Sequence, residues 1–290
     1  MSRKVRWTEL QIVDGIGEVQ LLSWKYFMDY IYQEMLDYDV YIWRGQRCNN
    51  WKLDSTLNRL TNTKRINTRR LSTYSESHLE RFQYAARGRR GNNPHTIDDE
   101  NDWWALGQHH GLATPLLDWT TSPFVAAYFA FIGIGEPQTR YRAVYALHKP
   151  SIEGTVRKIE KAKELENKEE LRAHADGTKK IMNALRLCML KLPVKPEIKF
   201  IRPMSDENQR LVNQGGLFTR SPIGENLESW IKRNYAGNNS YTLMKILIPD
   251  KDRAMCLRML NRMNINHLTL FPDLYGASKF CNIHGEIDRY

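Results

Sequence analysis

Arg44 is the first residue whose placement invites chemistry. It closes an apolar, aromatic-rich run, Tyr41-Ile42-Trp43, and is followed by Gly45 and Gln46. Such a run predicts a strand over residues 40–46. A cation at its end, next to a glycine, can aim a guanidinium into a cleft; the alternative is an exposed edge-strand arginine. The second concentration lies at residues 108–123, where Gln108, His109, His110 and Gly111 are followed by Asp118, Thr120, Thr121, Ser122 and Pro123. Ser122 reads as an N-cap and Pro123 as the first residue of a helix. That helix, running to about residue 132, is apolar on nearly every side and therefore belongs in the core. A helix mouth that gathers hydroxyls, a carboxylate and imidazoles suits an anionic ligand.

The chain lacks the familiar signatures of nucleotide and hydrolase sites. It contains no GxGxxG, no P-loop and no GxSxG. His110, Asp118 and Ser122 are the residue types of a hydrolytic triad, but their spacing gives that reading no independent support. The adjacent His109 and His110 do not make a metal site without further clustered ligands, and none is expected. Glu207, Glu225, Glu228 and Glu286 are the carboxylates nearest the polar loops, and the spacing does not rank them.

Composition narrows the partners. The 290 residues carry a formal net charge of +10, which fits an acidic partner (a nucleic acid, a nucleotide or an acidic protein) or a basic surface with no dedicated ligand. Lys64, Arg65, Arg69, Arg70, Arg81, Arg87, Arg89 and Arg90 fall in one region, interleaved with Tyr74, Phe82 and Tyr84. This pattern fits either a grip on a phosphate backbone or a solvated helix face. The four cysteines are scattered with no CxxC pair, which argues against zinc and disulfides and fits a reducing cytoplasm. No run of about 18 apolar residues occurs, so no membrane-spanning helix is expected. The basic N-terminus has no apolar stretch of the signal-peptide kind.

The elements that must position these residues are mixed. Periodicity predicts a helix over 18–37, strands at 40–46, 143–147, 198–201, 241–248 and 268–271, and helices at 71–87, 98–107, 124–132, 179–192, 206–212, 250–263 and 276–283. Residues 151–176 alternate Lys and Glu with good helix propensity. The expectation is a single α+β domain over residues 1–290, with a mixed β-sheet core and helical insertions, the charged one at about 151–190.

Four ordered blocks carry a resemblance to a known family. They are Tyr41-Ile42-Trp43-Arg44-Gly45-Gln46, the stretch from Gln108 to Ala130, Asn208-Gln209-Arg210 with Gln214-Gly215-Gly216-Leu217-Phe218-Thr219, and Leu270-Phe271-Pro272-Asp273-Leu274-Tyr275-Gly276. Together they resemble the FRG domain of bacteria and phages, named for a Phe/Tyr-Arg-Gly motif; here Trp43 precedes Arg44-Gly45. That family has a weaker similarity to NAD-dependent ADP-ribosyltransferases. The resemblance implies NAD as substrate and a role in conflict between phages and bacteria, as toxin or defence. By that analogy Arg44, with Gly45 and Gln46, would hold the dinucleotide, and Thr120, Thr121 and Ser122 would shape the nicotinamide pocket. Gly111 would permit close backbone approach, and Arg210 and Gln214 would orient the other half of the ligand. Glu207 or Glu225 would supply the catalytic carboxylate, with His110 and Asp118 as further candidates. The chain departs from the transferases in having no evident Gln-x-Glu or Glu-x-Glu motif. Two alternatives stand beside this reading: a non-catalytic module binding a nucleotide or nucleic acid, and a scaffold in which the same blocks serve packing.

Overall fold

In the computed structural model, residues 5–35, 38–91, 94–175, 197–203 and 209–290 are described. The chain opens with a hairpin of β1 (Gln11–Val13) and β2 (Ile16–Gln20). Its two-residue turn, Asp14-Gly15, has φ of 49° and 77°, the left-handed backbone that lets a tight hairpin follow strand twist. Helix α1 (Phe27–Glu34), β3 (Tyr41–Gln46), α2 (Thr56–Thr63), α3 (Leu71–Ala86) and α4 (Glu100–His109) follow. Next come β4 (Leu116–Thr120), α5 (Pro123–Ile132), β5 (Tyr141–His148) and the long α6 (Lys149–Ala175). The remainder is β6 (Lys199–Ile201), α7 (Gln209–Asn213), β7 (Gly216–Arg220), α8 (Leu227–Asn234), β8 (Leu243–Pro249), α9 (Arg253–Arg262), α10 (His267–Leu270) and α11 (Leu274–Glu286).

Among the described residues, eight strands join one sheet in the order β1-β2-β8-β5-β3-β4-β7-β6. Only β2 and β8 run parallel; the other neighbours are antiparallel. This is an α+β domain with a mixed sheet. The central strands β5 and β8 are buried at nearly every position because helices cover both faces of the sheet. On one face Trp43, Val144, Ala146, Met244 and Ile246 pack against α1, α5 and α9. On the other, Ile42, Trp119, Tyr145 and Leu217 pack against Ile152 of α6 and Leu227, Trp230 and Ile231 of α8. A third cluster joins Leu57, Leu79 and Trp104 of α2, α3 and α4 to Leu116 and Phe218.

Two expectations are corrected. Residues 18–37 are not one helix: β2 runs to Gln20, a single 3₁₀ turn covers Trp24–Tyr26, and only Phe27–Glu34 is α-helical. Val19 and Leu21 fit a helical period, but they are buried by lateral pairing with β8. Residues 268–271 are not a strand. His267–Leu270 is a helical turn fixed by a capping box, in which Asn266 and Thr269 exchange hydrogen bonds. The helix expected at 179–192 lies outside the described residues, and so does the first part of the one expected at 206–212.

Candidate functional site

The sheet has one weak seam. β3 pairs with β5 through six residues and β4 pairs with β7 through five, yet β3 and β4 share a single register pair, Trp43 with Thr120. A cleft of about 380 Å³ opens there, within the range of small-molecule sites. Its walls are Trp43, Ala126 of α5, and the rings of Phe129 and Phe271; its polar rim is Arg44, Asp118, Thr120 and Gln214.

Gly45 makes the geometry possible. A Cβ there would lie 1.9 Å from the Ala126 carbonyl oxygen and 2.5 Å from the Ala130 nitrogen. Only a glycine lets β3 press against the backbone of α5 at the back of the cleft. At the other end, the Ser122 hydroxyl accepts from Val125 N at 3.3 Å, capping α5 as the sequence predicts. Thr120 Oγ1 donates to the Gln214 carbonyl at 2.6 Å and accepts from Ser122 N at 3.1 Å. Thr121 N donates to the Gly215 carbonyl at 3.0 Å. Thr120, Thr121 and Ser122 therefore tie the helix mouth to the turn before β7.

Arg44 sits in the seam with its side chain 19% exposed. One terminal nitrogen donates to the Asp118 carbonyl at 2.7 Å and lies 3.5 Å from Asp118 Oδ2. Burial lowers the Arg44 pKa and Asp118 pulls it back up; a guanidinium in this setting stays charged. Asp118 is 63% exposed and is also held by Gln108 Nε2 at 2.6 Å. Gln108 in turn accepts from the Thr114 hydroxyl, and Thr114 N donates to Thr56 Oγ1 at 2.8 Å. A hydrogen-bonded chain thus runs from α2 through α4 to the carboxylate.

Two of the lining residues carry a buried donor with no acceptor among the described residues: Trp43 Nε1 and Arg44 Nε. Behind Arg44, two more buried polar atoms are unpartnered, Gln46 Oε1 and the hydroxyl of Tyr145, the residue paired with Arg44 across the sheet. Burial raises the pKa of the Tyr145 phenol, with Glu228 adding to it. Burial also raises the Glu228 carboxyl, which accepts from Leu53 N at 3.3 Å. Buried polar groups are satisfied as a rule; Arg44 Nε, Gln46 Oε1 and the Tyr145 hydroxyl are exceptions that share one face of β3 and β5, whereas Trp43 packs on the opposite face.

The segment at residues 39–139 matches a protein-family model. The family of that model is the FRG domain. No curated protein and no solved structure matches the chain. The FRG segment contains β3, β4 and α5, and hence Arg44, Gly45, Asp118 and the seam, while Gln214 and Phe271 reach the same cleft from beyond it.

The other sequence candidates are dispersed. His110 is an exposed C-cap of α4 and borders a different groove, with Arg89 and Arg90. Gly111 follows it with φ of 86° and open space around it, a turn glycine. Arg210 donates to Asp273 from Nε at 3.0 Å, with its guanidinium 5.4 Å from the Phe271 ring centroid. It therefore braces a wall of the cleft. Glu225 is clamped by Arg233 at 3.0 and 3.1 Å and does not line the cleft. Glu207 lies outside the described residues. Asp118 is the one carboxylate among the described lining residues. The sequence names Glu228 among the candidate carboxylates but does not show that it stands near Tyr145 behind Arg44. Tyr145 reads in sequence only as one more buried strand residue.

Proposed function

We propose that this FRG-domain chain binds an NAD-class dinucleotide at the β3–β4 seam and cleaves its nicotinamide–ribose bond. The product is either ADP-ribose transferred to an acceptor or free ADP-ribose. The observation that carries the reading is the Arg44–Asp118 pair at the polar rim of an aromatic-walled cleft. The volume suits one heterocycle and its ribose. Phe129 and Phe271 are placed to contact a ring, and Arg44 offers a planar fork for phosphate oxygens. In the reaction the glycosidic C–N bond breaks and nicotinamide leaves with the electron pair. The ribose carbon develops oxocarbenium character, and Asp118 is the group positioned to stabilise it. An acceptor hydroxyl, amine or water then attacks that carbon and releases a proton. Such an activity fits a toxin or defence effector in phage–bacteria conflict.

One observation favours a second reading, a nucleotide-binding module without catalysis. Asp118 is held by both Gln108 and Arg44, which leaves it less free to face a developing cation. One experiment separates the two: NAD turnover by wild type, Arg44→Ala and Asp118→Asn, with a cell lysate supplying acceptors and folding checked by circular dichroism. Nicotinamide release or label transfer, lost in both folded variants, supports the enzyme. Binding of NAD by calorimetry without turnover, weakened only in Arg44→Ala, supports the module. Neither turnover nor binding removes both readings.

A further inference from the structure

The C-terminal end of α3, with residues 87–91, forms a second surface that shares no lining residue with the cleft at the seam and differs from it in character. Residues 59–90 hold nine Lys and Arg against two Glu, so this short stretch carries most of the chain's net charge of +10. Two grooves flank the end of α3. One, of about 680 Å³, is bordered by Tyr84, Arg87 and Trp103; the other, of about 720 Å³, by Phe82, Arg89 and His110. Both include Ala86 and Arg90, so they adjoin at the helix end.

Aromatic rings and guanidiniums alternate along this surface. Tyr84 is 70% exposed, with the Arg87 guanidinium 3.8 Å from its ring centroid. Arg90 lies 5.2 Å over Trp103. Arg87 Nε donates to the Tyr84 carbonyl and one Arg89 terminal nitrogen to the Ala85 carbonyl. Arg87 and Arg89 are thus each pre-positioned through one of a guanidinium's five donors. An exposed Tyr at the edge of a groove, with one guanidinium over its ring, has little to do for the core. Stacking faces interleaved with cations are what an unpaired polynucleotide strand requires: bases against rings, phosphates against guanidiniums. A duplex hides its base faces, and an acidic peptide has no use for Tyr84.

We propose that the groove around the end of α3 binds single-stranded nucleic acid, with Tyr84 as a stacking platform and Arg87 and Arg89 as phosphate contacts. The inference is independent of any activity at the seam. The test is fluorescence anisotropy of the full chain with labelled twelve-nucleotide oligo-dT and oligo-U, a duplex of equal length, and a poly-glutamate peptide. The expected result is single-strand binding that weakens linearly in log salt and exceeds duplex and peptide binding. Tyr84→Ala, at an exposed position, should weaken single-strand binding about fivefold to a hundredfold and leave peptide binding unchanged. Arg87→Gln with Arg89→Gln should flatten the salt slope. No single-strand binding, equal binding of duplex or peptide, or full affinity in Tyr84→Ala would overturn the proposal.

Discussion

Gly45→Ala isolates the contact that builds the cleft. The new methyl carbon would start 1.9 Å from the Ala126 carbonyl oxygen, 2.9 Å from the Ala126 carbonyl carbon and 2.5 Å from the Ala130 nitrogen. Ordinary carbon contacts begin near ~3.5 Å, so β3 and α5 must separate by more than an ångström. Neither element yields easily. β3 is fixed by its six register pairs to β5, and α5 buries Val125, Ala126, Ala127, Tyr128, Ala130 and Phe131. Overpacking by one methylene against movable side chains costs roughly 1–3 kcal/mol. Here the obstacles are backbone atoms, and the loss should reach at least about 3 kcal/mol, a large part of an ordinary domain's stability. Urea unfolding followed by tryptophan fluorescence measures it, with Gly154→Ala as the control. Gly154 lies within α6 with nothing in reach of an added methyl, so that change should stabilise by up to about 1 kcal/mol. A Gly45→Ala protein within about 0.5 kcal/mol of wild type, at an unchanged m-value, would refute the account of this contact.

Two further predictions concern buried polar groups. Burial, with Lys279 adding to it, pushes the His267 imidazole from 6.5 down to about 4, and its Nδ1 lies 2.5 Å from the Tyr128 hydroxyl. Below its normal pKa the unfolded chain takes up a proton that the folded chain refuses. Stability present above pH 6.5 is therefore lost as the pH falls toward 4, by about 3 kcal/mol in all. Urea midpoints between pH 7 and pH 4 should show this slope, and His267→Gln should flatten it. Arg142, 6% exposed, pairs with Asp250 and donates to the Ala130 and Gly133 carbonyls at 2.8 and 2.7 Å. Arg142→Met strands all three and should cost about 3–5 kcal/mol in urea unfolding; Arg142→Lys should recover only part, because one ammonium cannot span three acceptors.

Elements whose local signals agree with their burial were legible in the sequence. β5 and β8 carry apolar runs, Ala143 to Leu147 and Ile246 to Ile248, and α5 announces itself through Ser122-Pro123 and its apolar length. Arg44 at the end of β3 was visible for the same reason. The 18–37 stretch was misread because Val19 and Leu21 fit a helical period, and only the distant strand β8 turns them into sheet. The reading of 268–271 failed because a β-rich tetrapeptide was overruled by the cap at Asn266. Within the site, the seam itself left no local trace. It depends on which strands β3 and β4 choose as their better partners, and those lie a hundred residues apart in the case of β4 and β7. The carboxylates were the least legible, since Glu225 is neutralised by a helix eight residues on and Asp118 is recruited through Gln108 and Thr114.

The strand order also bears on how the chain comes into being. β3 and β4 sit at the middle of the sheet, but their principal partners are β5 and β7, and β8 alone links β5 to the opening hairpin. During synthesis, the segment that matches the FRG family emerges with both of its strands lacking those partners. Its apolar faces then wait for more than a hundred further residues before β8 completes the sheet. Closures over such separations are slow, and unpaired strand edges are sticky while they last. The interval between the appearance of β4 and that of β8 is therefore the stretch of this protein's birth in which a chaperone would matter most.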